Sequence, residues 1–111
     1  YGTEIAMPGG YDPDCRRAMD WSVENEPSVV GKLIAALAEL KKNAAVKCGD
    51  VRFNWSGNAF VMERTYEYTG VRFTMIREGQ HEVSPGKVLL SHNMQDNTII
   101  GCGFMIEEVR L

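Results

Sequence analysis

Between residues 29 and 40 the apolar positions recur at helical spacing. Val29, Val30, Leu33, Ile34, Leu37 and Leu40 form one stripe, while Lys32, Glu39, Lys41 and Lys42 fall mostly on the other side. Alanines at 35, 36 and 38 add helix propensity, Ser28 or Asn25 can cap the start, and Lys41 and Lys42 suit the negative end of the dipole. The pattern predicts one amphipathic helix. After Asn43 the signal becomes β, in short segments separated by turn residues every eight to twelve positions. Val51 to Trp55 precedes Ser56-Gly57-Asn58, Ala59 to Tyr66 precedes Tyr68-Thr69-Gly70, and Val71 to Arg77 precedes Glu78-Gly79-Gln80. Pro85-Gly86 opens Lys87 to Ser91, Gln95-Asp96-Asn97 opens Thr98 to Ile100, and Phe104 to Val109 follows. Gly101-Cys102-Gly103 predicts a bulge or a close backbone approach before that last segment. Short strands joined by local turns predict a mainly β fold, an antiparallel β-sandwich, with Phe53, Phe60, Phe73 and Phe104 as core candidates.

Ahead of the helix the chain has little periodicity and three of its four prolines, so it reads as an extended loop after a strand end at Tyr1 to Ile5. The expected division is therefore a leading segment, residues 1–43, and a β domain, residues 44–111. A chain of 111 residues with 44% hydrophobic and 24% charged residues has an ordinary globular composition. Its net charge of −3, with Lys and Arg scattered singly, argues against a nucleic-acid or anionic-membrane partner. No apolar run approaches the roughly 20 residues that cross a bilayer. Cys15, Cys48 and Cys102 are odd in number and widely spaced, which signals neither a disulfide framework nor a Cys-x-x-Cys site and fits a reducing cytoplasm.

The leading segment holds the densest chemistry. Tyr1-Gly2-Thr3-Glu4-Ile5-Ala6-Met7 runs through Pro8-Gly9-Gly10 into Asp12-Pro13-Asp14-Cys15-Arg16-Arg17 and then Met19 and Trp21. A strand end, a glycine turn and a cluster of acids and arginines make up a ligand-facing loop. This stretch resembles the α-amylase superfamily, glycoside hydrolase family 13, most closely its cyclomaltodextrinase, neopullulanase and maltogenic amylase branch. There the end of the eighth barrel strand reads Tyr-Gly-Asp/Thr-Glu-Ile-Gly-Met, followed by Gly-Gly, Asp-Pro-Asp-Cys-Arg-Arg and Met-x-Trp. The match covers Tyr1 to Trp21 and departs at Ala6, where the family has glycine, and at Ser22, where an acid commonly follows the tryptophan. A looser likeness continues to Gly103-Phe104-Met105-Ile106, which resembles the final strand of the family's C-terminal domain.

The resemblance implies that the chain is the tail of a larger hydrolase, because a strand-eight end stands at residue 1 without an initiator methionine. Retaining enzymes of this kind need a carboxylate nucleophile and a second carboxyl about 5–5.5 Å away. By resemblance these acids follow barrel strands four, five and seven, upstream of Tyr1, so no catalytic residue is expected here. Asp12 and Arg16 map onto the family's pair that binds a glucose unit away from the scissile bond. A carboxylate accepts from sugar hydroxyls and a guanidinium donates to them. The plainer reading of the same residues is an Asp12–Arg16 or Asp14–Arg17 ion pair that only shapes the loop.

Other candidates carry less. Trp21, Trp55, Tyr66 and Tyr68 can be read as a sugar-stacking platform, with Tyr66 and Tyr68 on one face of a strand, or as packing. His81 and His92 have no partner at metal-ligand spacing, so no metal is expected. Gly9-Gly10 lacks the Gly-Lys-Ser signature and helix of a phosphate cradle, and no cofactor is expected. The expected function is a structural C-terminal portion of an α-glucan hydrolase, meeting its α-glucan through the parent barrel and located in the cytoplasm. Two alternatives stay open. One is a stand-alone carbohydrate-binding module. The other is an oligomerisation module, in which the helix stripe, deprived of its barrel, packs on the sheet or on a second copy.

Overall fold

The computed structural model describes residues 1–19, 21 and 28–111. It divides into two compact units, Tyr1–Leu40 and Lys41–Leu111.

In the first unit, a single turn of 3-10 helix occupies Thr3–Ile5 where the sequence suggested a strand end. A strand needs a neighbour to take its backbone groups, and no strand of the described residues lies beside this segment. The backbone bonds to itself instead, Ala6 N donating to Thr3 O at 2.9 Å and Met7 N to Gly2 O at 3.0 Å. A second such turn spans Asp14–Arg16. Helix α1 runs over Val29–Leu40. Ser28 caps it, its Oγ accepting from Gly31 N at 3.0 Å. Asn25, the other cap candidate, lies outside the described residues. No residue of α1 is buried; Leu33 and Ile34 are half-buried, and Leu37 is more exposed.

The second unit begins with a short helix that the sequence reading did not anticipate, α2, Ala44–Cys48. Asn43 caps it through a bond from Ala45 N at 2.9 Å. Six antiparallel strands follow: β1 Asp50–Ser56, β2 Ala59–Tyr66, β3 Thr69–Ile76, β4 Gln80–Glu82, β5 Lys87–Gln95 and β6 Thr98–Arg110. β1, β2 and β3 form a meander in which β2 pairs with both neighbours. β6 is one long strand where the sequence suggested two. Its second half pairs with β3 and its first with β4, while β5 runs along both halves with register shifts at Val88/Leu90 and His92/Met94. The glycines between the halves allow the change of partner. A Cβ on Gly101 would meet the Glu78 Cα at 2.6 Å, and one on Gly103 the His92 carbonyl at 2.8 Å. This is the close approach that Gly101-Cys102-Gly103 suggested.

The registers assign each side chain to a face. One face of the meander carries Ala59, Val61, Thr74, Ile76 and Met105, all buried. The core cluster of Ala59, Ile76, Ile99 and Met105, with Val83 and Met94 packed against it, joins this face to the first half of β6 and the end of β5. One hydrogen-bonded sheet thus supplies both layers around a common core. The opposite face carries the buried Val71 and Ile106 and, around them, Phe53, Trp55, Phe60, Met62, Phe73, Met75 and Phe104. None of the aromatic or methionine side chains there is buried, and Phe53 and Trp55 are 60% and 71% exposed. The four phenylalanines are therefore not core. Period-two alternation shows which residues share a face, but not which face is covered.

Candidate functional site

The loop of the first unit places Asp12 and Arg16 one turn apart. Arg16 Nε lies 2.9 Å from Asp12 Oδ1 and Nη2 donates to Oδ2 at 3.3 Å; both side chains are exposed. Arg17 makes a second, bidentate pair, with Nε to Asp14 Oδ1 at 2.7 Å and Nη2 to Oδ2 at 3.0 Å. The 3-10 turn over Asp14–Arg16 brings each arginine back over the acid that precedes it. Carboxylates and guanidiniums stand together at the loop surface, a donor–acceptor set that matches sugar hydroxyls. In this state they satisfy each other. Cys15 Sγ adds a weak contact to Asp12 Oδ1 at 3.7 Å.

A second polar site, which the sequence reading missed, lies on the core face of the sheet. Glu63 on β2, Arg72 on β3 and Glu107 on β6 stand directly opposite one another across adjacent strands. Arg72 Nε donates to Glu63 Oε1 at 2.8 Å, and Nη1 to Glu107 Oε1 at 2.9 Å. Glu107 is 2% exposed and its Oε2 has no hydrogen-bond partner. The bond to Glu63, helped by the charges of Glu63 and Glu107, holds the Arg72 guanidinium above its ordinary pKa, against the opposing effect of partial burial. The triad borders a cavity of about 270 Å³ that His81, Glu82, Val83 and Ser84 also line.

The remaining candidates separate. Tyr66 ends β2, but Tyr68 sits in the two-residue loop after Glu67, which has φ 55°, so the two tyrosines do not share a strand face. Trp21 is 74% exposed in the first unit, whereas Trp55 stands edge-on to Phe60 at 5.4 Å between ring centroids in the second. His81 Nδ1 lies 3.2 Å from Asn58 Oδ1, and His92 stacks on Phe104. Among the described residues no group of three or more His, Cys, Asp or Glu could hold a metal ion, and no helix is long and apolar enough to cross a membrane.

No family model matches the chain. It is similar to the cyclomaltodextrinase of Thermoanaerobacter pseudethanolicus, 29% identical over 85 residues, which cover 75% of this chain and 15% of that protein. With the cyclomaltodextrinase of Geobacillus thermopakistaniensis it shares 41% identity over 54 residues, 48% of this chain and 9% of the relative. Among solved structures, the maltogenic amylase from S. marinus superposes with a TM-score of 0.79 at 26% identity, covering 97% of this chain and 16% of that one. The chain thus spans about a sixth or less of the length of each protein it matches here. Sequence and fold together support a likeness to a C-terminal portion, β domain included, of α-amylase-family enzymes.

Proposed function

We propose that this chain is the structural C-terminal portion of a cyclomaltodextrinase- or neopullulanase-like enzyme that hydrolyses α-glucosidic bonds in maltooligosaccharides, cyclodextrins or pullulan. The observation that carries the reading is the superposition on the maltogenic amylase, which takes in 97% of this chain and only 16% of the larger one. In this reading the chemistry belongs to acids outside the chain, and Asp12 and Arg16 exchange their mutual ion pair for hydroxyls of a bound glucose unit. An exposed ion pair is worth at most about 1 kcal/mol, so substrate hydrogen bonds can replace it at little cost. The β domain then holds the loop-bearing segment in place rather than reacting itself.

The test is to express the complete reading frame that contains this sequence alongside residues 1–111 alone, and to assay both for release of reducing sugar from β-cyclodextrin and pullulan. Turnover by the complete product and none by the shorter chain is expected. Glucose or maltose released by residues 1–111 alone would overturn the reading, as would an inactive complete product.

A further inference from the structure

Gly9 and Gly10 carry the loop of the first unit directly against the 3-10 turn at Asp14–Arg16. A Cβ on Gly10 would meet Asp14 Oδ2 at 2.8 Å, and one on Gly9 would meet the Cys15 Cα at 3.3 Å. Tyr11 is the next residue, and its carbonyl accepts from Asp14 N at 2.8 Å, which closes a four-residue turn over residues 11–14. The backbone of Tyr11 is thus held from both sides. Its ring is left to solvent. At 98% exposure it is the most exposed large apolar side chain among the described residues, ahead of Trp21 at 74% and Tyr1 at 70% in the same unit.

We propose that Tyr11 is the ring on which the glucose unit bound by Asp12 and Arg16 stacks. The proposal rests on the reading of those two residues as sugar ligands. Two features of the loop choose this occupant. The first is composition. Asp12 directly follows Tyr11 and holds Arg16 at 2.9 Å, so one turn carries both an aromatic plane and a carboxylate–guanidinium set. A pyranose presents a face of C–H groups and a rim of hydroxyls, and the ring and the ion pair answer one each. An anion would be repelled by Asp12 and Asp14, and a wholly apolar partner would desolvate two ion pairs. The second is cost. The turn fixes the backbone and a tyrosine has only two side-chain torsions to order, so stacking covers area with little loss of freedom.

Equilibrium titration of the product of the complete reading frame tests this, with maltotetraose linked through sulfur, which resists hydrolysis, as the probe. Tyr11→Ala and Tyr11→Leu should each weaken binding about tenfold, as expected for uncovering one face of an aromatic ring. Tyr11→Phe keeps the ring and should bind within about twofold of the unaltered protein. Thermal midpoints should agree across the series, since so exposed a side chain has no packing to lose. Leucine binding as well as phenylalanine overturns the proposal, because an apolar patch then suffices without a plane. So does unchanged affinity in Tyr11→Ala, whether or not the midpoint falls; a fall means that the ring packs on protein. Release of reducing sugar from β-cyclodextrin by the unaltered product separates this proposal from the reading it rests on. Ring-dependent binding without release keeps Tyr11 and removes the hydrolase, and release with ring-independent binding does the reverse. A product that neither binds nor hydrolyses overturns both.

Discussion

A carboxylate as enclosed as that of Glu107, with one oxygen bonded to Arg72 and the other without a partner, depends on its guanidinium. Removing one partner of a buried pair leaves an uncompensated charge, which costs about 3–5 kcal/mol when both groups are fully enclosed. Arg72 is 38% exposed, so screening reduces the cost, and Arg72→Met should lower unfolding stability by about 2–3 kcal/mol in urea titrations. The double variant Arg72→Met with Glu107→Leu should recover at least half of that loss, because the stranded charge is gone. Because the folded-state pKa of Arg72 is raised, its contribution is complete below the unfolded-state pKa and fades only as pH rises through the higher folded one. The destabilisation caused by Arg72→Met should therefore be the same at pH 8 and pH 10. Under the proposed function, Asp12→Ala or Arg16→Ala in the product of the complete reading frame should raise KM for β-cyclodextrin by about three- to tenfold with kcat nearly unchanged, the signature of lost uniform binding. The Asp12–Arg16 geometry was legible in the sequence because the residues lie four apart. Glu63 and Arg72 were not. They become partners only when the hairpin loop is Glu67-Tyr68, and a turn centred on Tyr68-Thr69-Gly70 shifts the pairing by three residues.

The hairpins show what turn chemistry does and does not reveal. Gly57, at φ 60°, occupies the first loop position between β1 and β2, where a left-handed residue matches the twist of the strands. The β2–β3 loop places Glu67 in the same conformation at φ 55°, without the glycine that marks such a turn. Glu67→Gly should therefore raise stability by about 0.5–1 kcal/mol, read as a higher urea midpoint at unchanged slope. Strands β1, β2 and β3 were legible because apolar and β-branched residues alternate between turn residues. Strand β4 has only three residues and little alternation, so it was not. The division of β6 into two came from treating Gly101-Cys102-Gly103 as a break, whereas the glycines let one strand change partners without ending. Helix α1 was legible from its stripe, and α2, too short to show a period, was hidden.

Over the whole molecule, stability is expected to be uneven. In the first unit Gly2 is buried but α1 has no buried residue, while the second encloses Ala59, Ile76, Ile99 and Met105. Amide exchange followed by mass spectrometry should accordingly be faster in α1 than in β3 and β6 by at least about a hundredfold, as for local opening against opening of a core. Composition and turn spacing conveyed the fold class, and the opening motif conveyed the likeness to α-amylase-family enzymes. The exposure of the aromatic face could not be read, since a strand buried on both faces and one awaiting a covering surface have the same alternation. Strand β6 carries one further consequence. Because it pairs with β3, β4 and β5, and is the last of the six to be synthesised, the ribosome must deliver it before the earlier strands can close their ladder. Until then the β1–β3 meander emerges with Ile76 and Ala59 uncovered on one side and its rings uncovered on the other, a nascent species suited to capture by chaperones that grip apolar segments.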